Sequence, residues 1–381
     1  VKRYLFDDDH EAFRVTVRDF YVDQVVPEYT NWERKGVPPR HFWKAAGKLG
    51  LLSIQVPKEY GGAGRGGFLF NVILTEESRR AGIELDSFRM HTDITMPYFL
   101  RVANAEQQSR WLPRLVGGDA VAALATADVG AGCDDKALTV RAIRDGRNYI
   151  VYGSRTLACD GADADLIVTP VTTNPAAGRD GLSLLVIDGN SPRLTRGPKL
   201  DKVGPRTRGL AMLIFDDVVV PAENLLGEEG RGFSYLIENV AQERLSIAVN
   251  SHATAVKELH DTIEYAKDRK AFGAAVSSSQ QTKFLLATCV TDIEAGQSLL
   301  DRALVAHESD ELSAADAAIV KLFCTEMRDR VVDRCLQLHG DSDDMPQFHP
   351  IFAAYADAGL SPTYGASSEV MKLIIAQSLG I

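Results

Sequence analysis

Glutamate 243 occupies an unusual place for a charged group. In Phe233-Ser-Tyr-Leu-Ile-Glu-Asn-Val-Ala-Gln-Glu-Arg-Leu-Ser-Ile-Ala248 it falls in line with Leu236, Val240 and Ile247, at helical spacings of seven, three and four. A carboxylate on an apolar stripe is denied water. That raises its pKa toward neutrality and suits it to remove a weakly acidic proton as a general base. The same placement also serves a structural ion pair, for which Arg244 is the adjacent cation.

Other chemistries find less support. The five cysteines (Cys133, Cys159, Cys289, Cys324, Cys335) form no CxxC pair, and their scatter fits neither a disulfide framework nor a zinc site. The eight histidines show no HExxH or His-x-His spacing, so no metal is expected. Gly62-Ala-Gly64-Arg-Gly-Gly67 satisfies the G-x-G-x-x-G pattern of dinucleotide sites. That pattern requires a preceding buried strand in a βαβ unit, and Pro57-Lys-Glu-Tyr60 leads in from a helical region instead. A glycine-rich surface turn is the expectation here.

The elements that must position Glu243 come in three blocks. From Asp8 to about Gly118 apolar residues recur at helical intervals, as in Phe13, Val17, Phe20 and Tyr21, with breaks at Pro27 and Pro38-Pro39. Between Asp119 and Gly230 short β-rich runs take over, among them Tyr149–Tyr152, Asp165–Val171 and Leu182–Ile187. Long amphipathic segments then return over about 233–270, 278–308 and 312–339, with a last helix after Ser367. Segregated blocks predict an α+β protein: an N-terminal all-α domain (1–118), a middle antiparallel β domain (119–230) and a C-terminal four-helix bundle (231–381).

The chain has 381 residues, 45% of them hydrophobic, enough for two or three packed layers or domains. Its net charge of -10, with acids and bases interspersed, argues against nucleic acid or an anionic membrane surface as the main partner. The N-terminal residues resemble no signal peptide and no apolar run approaches the ~18 residues of a membrane span. A cytoplasmic location without membrane insertion is the expectation.

Several stretches, in order along nearly the whole chain, resemble the acyl-CoA dehydrogenase family of flavoproteins. They are Pro57-Lys-Glu-Tyr-Gly-Gly62; Trp111-Leu-Pro-Arg-Leu115 with Gly118-Asp119; Ala125-Thr-Ala-Asp-Val-Gly-Ala-Gly-Cys-Asp134; and Lys202-Val-Gly204 with Phe215–Phe233. Arg269-Lys-Ala-Phe-Gly273 with Gln280, Gln337-Leu-His-Gly340 and Tyr364-Gly-Ala-Ser-Ser-Glu-Val-Met-Lys372 complete the series. The resemblance implies FAD held between the β domain and the bundle of a tetramer. The implied reaction is α,β-desaturation of an acyl-CoA thioester, with an electron-transferring flavoprotein as electron acceptor. It further implies that Arg269, Phe272 and Gln280, with the backbone at Gly340, reach the flavin of a neighbouring subunit. Thr126, Cys133, Cys159, Gln337, Ser367 and Glu369 match positions near the cofactor. Cys133, Val240, Arg244 and Tyr364 match positions near the substrate. Members of the family carry the base either after the C-terminal tyrosine or within a Glu-Arg-Leu segment of the long helix. Here Tyr364 is followed by Gly365 and Gln242-Glu-Arg-Leu245 matches the second pattern, so the resemblance makes Glu243 the base and leaves Gly365 its backbone N–H for the thioester oxygen.

Departures from the family cluster around the flavin. Cys133 stands for a serine, Asp128-Val129 for Glu-Pro, and Leu157 and Cys159 fall where an aromatic and a threonine are usual. Asp341, Asp343 and Asp344 follow His339, and Asp357-Ala-Gly359 lacks an arginine. An alternative is therefore a flavin-poor or silent subunit of a mixed tetramer, and another is an oxygen-using member. His91 and Asp93 fall where the resemblance lines the acyl pocket, and either a substrate with oxygen functions or an exposed turn accounts for them.

Overall fold

The computed structural model describes residues 3–127, 140–199, 207, 209–340 and 350–381. Its first helices form where an apolar stripe meets a cap. Asp7 opens α1 (Asp8–Phe20) by accepting from the His10 amide while the His10 ring accepts from the Asp7 amide; Phe13, Val17 and Phe20 make its buried face. α2 (Tyr29–Lys35) ends on Gly36 in the left-handed region, and α3 (Arg40–Lys48) follows Pro39. α4 (Leu69–Arg80), α5 (Asp86–Arg89), α6 (Met96–Arg101) and α7 (Ala105–Val116) complete the block, with a π-helical stretch at Met90–Thr95 between α5 and α6. The glycine-rich loop is a turn folded on its own lead-in. Gly62 N–H donates to Pro57 O, Gly64 N–H to Val56 O and Arg65 N–H to Ile54 O, which leaves these amides no capacity to cradle a phosphate.

The strands are β1 (Ala122–Ala127), β2 (Arg141–Asp145), β3 (Asn148–Cys159), β4 (Leu166–Thr172), β5 (Leu182–Asp188), β6 (Leu194–Lys199), β7 (Ala211–Pro221) and β8 (Leu225–Leu226). They form one sheet in the order β6-β7-β3-β1-β4-β5-β8, with β2 against β3 and β4. Pairing is antiparallel except where β1 and β2 run parallel to β4. One face closes over Tyr149, Val151, Ile167, Leu213 and Phe215; the other packs on Phe99, Trp111 and Leu112 of the helical block.

The long helices stand where the periodicity places them: α8 (Gly232–Asp268), α9 (Gln280–Glu308), α10 (Ala314–His339) and α12 (Ser368–Ser378). A further helix, α11 (Pro350–Ala358), was not expected from the sequence. α8 starts hard against β5: a Cβ on Gly232 would lie 2.8 Å from Leu182 O, so only glycine lets the first turn sit there. Cys289, Met327, Val331 and Cys335 fill the bundle interior. Among the described residues no helix is long and apolar enough to cross a membrane.

The π-helical stretch locks onto α8. Asp93 is fully buried, and its carboxylate accepts from Asn71 Nδ2 (2.7 Å), Thr92 Oγ1 (2.7 Å) and Ser246 Oγ, while its backbone oxygen accepts from Gln242 Nε2 at 2.6 Å. Burial raises the Asp93 pKa against these donors. Removing the carboxylate strands three buried donors, so Asp93→Ala is expected to cost about 2–4 kcal/mol and Asp93→Asn about half of that. Thermal unfolding monitored by far-UV dichroism checks this, and Tm values within about one degree of each other would refute it.

Candidate active site

Gln242 and Ser246 lie on the face of α8 tied to Asp93, and Glu243 sits between them in sequence, turned toward a different neighbour. On its stripe Ile247 is buried while Leu236, Val240 and Glu243 are half-buried, so the stripe borders a cleft. Across the cleft runs the turn that follows the 3-10 helix Ser361–Thr363. Gly365 there has φ +61°, and a Cβ on it would come within 2.6 Å of Ile247 Cδ1 and 3.7 Å of Glu243 Oε1. Glycine is thus required twice over, by backbone conformation and by space. Glu243 and Gly365 stand face to face across the cleft.

Tyr98 of α6 closes the site from the N-terminal block. It is fully buried, and burial followed by the Glu243 carboxylate holds its hydroxyl protonated far above the ordinary tyrosine range. Arg244 is buried one residue on; burial lowers its pKa and the Glu243 carboxylate opposes that. Arg101 Nη2 donates to Gln242 Oε1 at 3.3 Å. His91 and Asp93 are scaffold: His91 is buried, accepts from Ala122 N–H at 3.1 Å and is held neutral, its pKa brought down to about 4 by burial. That excludes an exposed turn for both residues.

The residues expected around a cofactor fall in three places. Thr126 is exposed at the end of β1, beside the end of β3 where Cys159 lies; Leu124 pairs with Cys159 and Ala127 with Leu157. The side chain of Cys159, and all of Cys133, Asp128-Val129, Lys202–Arg206 and Asp341–Asp344, lie outside the described residues. Ser367 caps α12, its Oγ accepting from Val370 N–H at 3.5 Å, and Glu369 in the first turn has its pKa lowered by backbone and Ser367 hydrogen bonds. Tyr364 is half-buried beside Gly365.

Arg269, Phe272 and Gln280 are elsewhere. Arg269 ends α8 and is followed by a small hairpin, β9 (Lys270–Ala271) and β10 (Ala274–Ala275), with Phe272 at its tip. Phe272 is fully exposed with φ +51°, which rules out core packing. Gln280 is exposed at the first turn of α9. Gln337 and Gly340 are exposed at the end of α10, where nothing lies within 4 Å of a Cβ built on Gly340. A cationic fork, an aromatic in water and open backbone fit an aromatic diphosphate such as FAD, with Arg269 for the pyrophosphate and Phe272 for a ring. No group of three or more metal-ligating side chains occurs among the described residues.

Sequence reasoning missed Tyr98 and Lys321. Lys321 had a signal: it is the lone charge in Ala317-Ala-Ile-Val-Lys-Leu-Phe-Cys324.

A helical block, a β domain and a helical bundle, with a carboxylate that faces a glycine turn, fit an acyl-thioester dehydrogenase type of protein. The comparisons agree. Models of the acyl-CoA dehydrogenase N-terminal, middle and C-terminal domains match residues 7–119, 123–218 and 230–380. Long-chain specific acyl-CoA dehydrogenase of Mus musculus is 35% identical over 99% of this chain and 88% of its own length. An acyl-CoA dehydrogenase of Bacillus subtilis is 31% identical over 96% of both chains. The crystal structure of acyl-CoA dehydrogenase from Geobacillus kaustophilus superposes with a TM-score of 0.96 at 37% identity, covering all of both chains. The chain belongs to the acyl-CoA dehydrogenase family.

The Gly365 geometry predicts a specific double-mutant behaviour. Gly365→Ala should lower kcat about 10–100-fold by pushing Ile247 and the turn apart. Ile247→Val removes the clashing methyl, so Gly365→Ala/Ile247→Val should recover part of that loss. Steady-state kinetics on the four proteins of the cycle checks this; strictly additive effects would count against the contact.

Proposed function

We propose that the protein catalyses FAD-dependent α,β-desaturation of an acyl-CoA thioester, with Glu243 as the base that removes the α proton. The observation that carries this reading is the Glu243 carboxylate lying against the Gly365 backbone. A thioester oxygen bound by the Gly365 N–H brings the α carbon next to Glu243. Negative charge building on that oxygen is then met by a preorganised donor. The half-buried Leu236 and Val240 and the buried Ile247 line the apolar side of the cleft beside the carboxylate. FAD, when bound, supplies the hydride acceptor for the β hydrogen. Val240, Arg244 and Tyr364 border the acyl-CoA site; Thr126, Ser367 and Glu369 border the cofactor, and the Gln337–Gly340 segment serves that of a neighbouring copy.

Arg269 and Phe272 support an oligomer. They lie roughly 39 Å along α8 from Glu243. That is farther than one dinucleotide reaches, so they serve the cofactor of another copy, and a tetramer of this chain supplies one such finger to each of its four sites. An electron-transferring flavoprotein in the cytoplasm is the proposed oxidant of the reduced enzyme, within fatty acid metabolism.

Glu243→Gln is expected to lower kcat at least about 10³-fold while FAD content and acyl-CoA binding stay within about threefold of wild type. Anaerobic bleaching of the flavin band by acyl-CoA reads both quantities, and undiminished bleaching would remove Glu243 from the role. Arg269→Ala should release FAD at least about tenfold more readily, measured by ultrafiltration of the yellow protein. A wild-type protein that stays colourless with excess FAD would favour the silent-subunit alternative.

A further inference from the structure

The turn that faces Glu243 is held by a third element. Lys321 of α10 is completely buried, and its Nζ donates to Pro362 O at 2.6 Å and to Ala366 O at 2.8 Å. Those two carbonyls bracket Tyr364 and Gly365. Between them the backbone turns through left-handed conformations at Gly365 (φ +61°) and Ala366 (φ +81°). The second is strained for a residue with a Cβ, so the turn requires support from outside itself. Arg244 of α8, Glu326 and Asp329 of α10 and Glu369 of α12 act on the ammonium through space. Its direct partners are backbone carbonyls. Burying an ammonium against carbonyls is disfavoured relative to a methionine of similar volume, which makes packing alone a poor reason for a lysine here. Burial, with Arg244 adding to it, brings the ammonium down to about 8, and at neutral pH it is charged.

We propose that Lys321 is a positioning residue for proton abstraction: its ammonium ties both ends of the Pro362–Ala366 turn to α10 and thereby sets the Gly365 amide against the Glu243 carboxylate. The proposal rests on the reading of Glu243 as the base. Three elements then converge on one geometry. α8 carries the carboxylate, the turn carries the N–H, and α10 fixes the turn relative to α8, its most extensive neighbour in the bundle. A turn freed at both ends would let the thioester oxygen drift from its donor without abolishing the cleft, so binding should survive better than chemistry.

The test compares Lys321→Met with Lys321→Arg in the FAD-loaded protein, using a saturated acyl-CoA and its α-deuterated form. Lys321→Met is expected to lower kcat about 10–100-fold with KM within about threefold. Its α-deuterium isotope effect on kcat should exceed that of wild type, because proton removal becomes slower. Lys321→Arg, which keeps a cation, should recover part of kcat. A loss of kcat only in proportion to the unfolded fraction, with an unchanged isotope effect, would overturn the proposal. If Lys321→Met does not fold, Lys321→Gln takes its place under the same criteria. If wild-type protein shows no turnover with any acyl-CoA, the failure belongs to the base reading. The clamp is then judged by amide hydrogen exchange of residues 362–368: at least about tenfold faster in the variant supports it, and equal rates overturn it.

Discussion

The rotation of α8 about its own axis is the constraint on which the site depends. A helix of 37 residues packed in a bundle can slide or turn by a fraction of a residue at little cost in apolar contact, and a turn of 100° replaces one stripe by the next. Two hydrogen bonds remove that freedom. Gln242 Nε2 binds the Asp93 backbone oxygen and Ser246 Oγ binds the Asp93 carboxylate. They stand one residue before and three after Glu243, so with that face pinned the carboxylate can only point into the cleft. The π-helical stretch matters here, because its irregular turn presents both a backbone oxygen and a side chain to the same neighbour.

Some of the buried charges around this arrangement link blocks that are distant in sequence. Arg79 pairs with Glu84 and donates to Asn250 of α8 at 2.8 Å, tying the N-terminal helices to the bundle. Asp357 of α11 joins the same cluster, and burial followed by the Glu84 carboxylate raises its pKa well above the usual carboxylate range. Arg89, paired with Asp86, reaches Ser246 Oγ at 3.1 Å and so touches the network that pins the base helix. Charges of this kind lend little net stability once desolvation is counted, but they reject alternative packings because any shift leaves one unpaired. A site that needs a carboxylate fixed to within a fraction of an ångström gains from that property.

The same helix that carries the base carries Arg269 at its far end, so one element contributes to chemistry at one end and to a surface feature at the other. Phe272 projects into solvent on a two-stranded hairpin too short to pack it. An isolated exposed aromatic on a strained backbone is unfavourable in a free chain. It becomes intelligible when the hairpin is a finger meant for another molecule.

The three-block architecture and the long helices were legible in the sequence because they rest on local periodicity: Phe13, Val17 and Phe20 mark α1, and the spacing of Leu236, Val240, Glu243 and Ile247 marks the cleft face of α8. The stripe position of Glu243 was legible for the same reason, whereas its pairing with Gly365 came from the resemblance to the family's two base positions and not from residue types. α11 escaped, its segment being apolar nearly all round. His91 and Asp93 fit either a pocket lining or an exposed turn by sequence, and their buried scaffold role emerges only with their partners. Residue types and their periods thus establish which groups are available and on which face of which element. Only the packed chain decides which faces meet, because Asn71 and Ser246 lie 22 and 153 residues from Asp93, the partners of Lys321 lie 41 and 45 away and those of Gly365 more than 100, and no local pattern encodes a distance across that much chain.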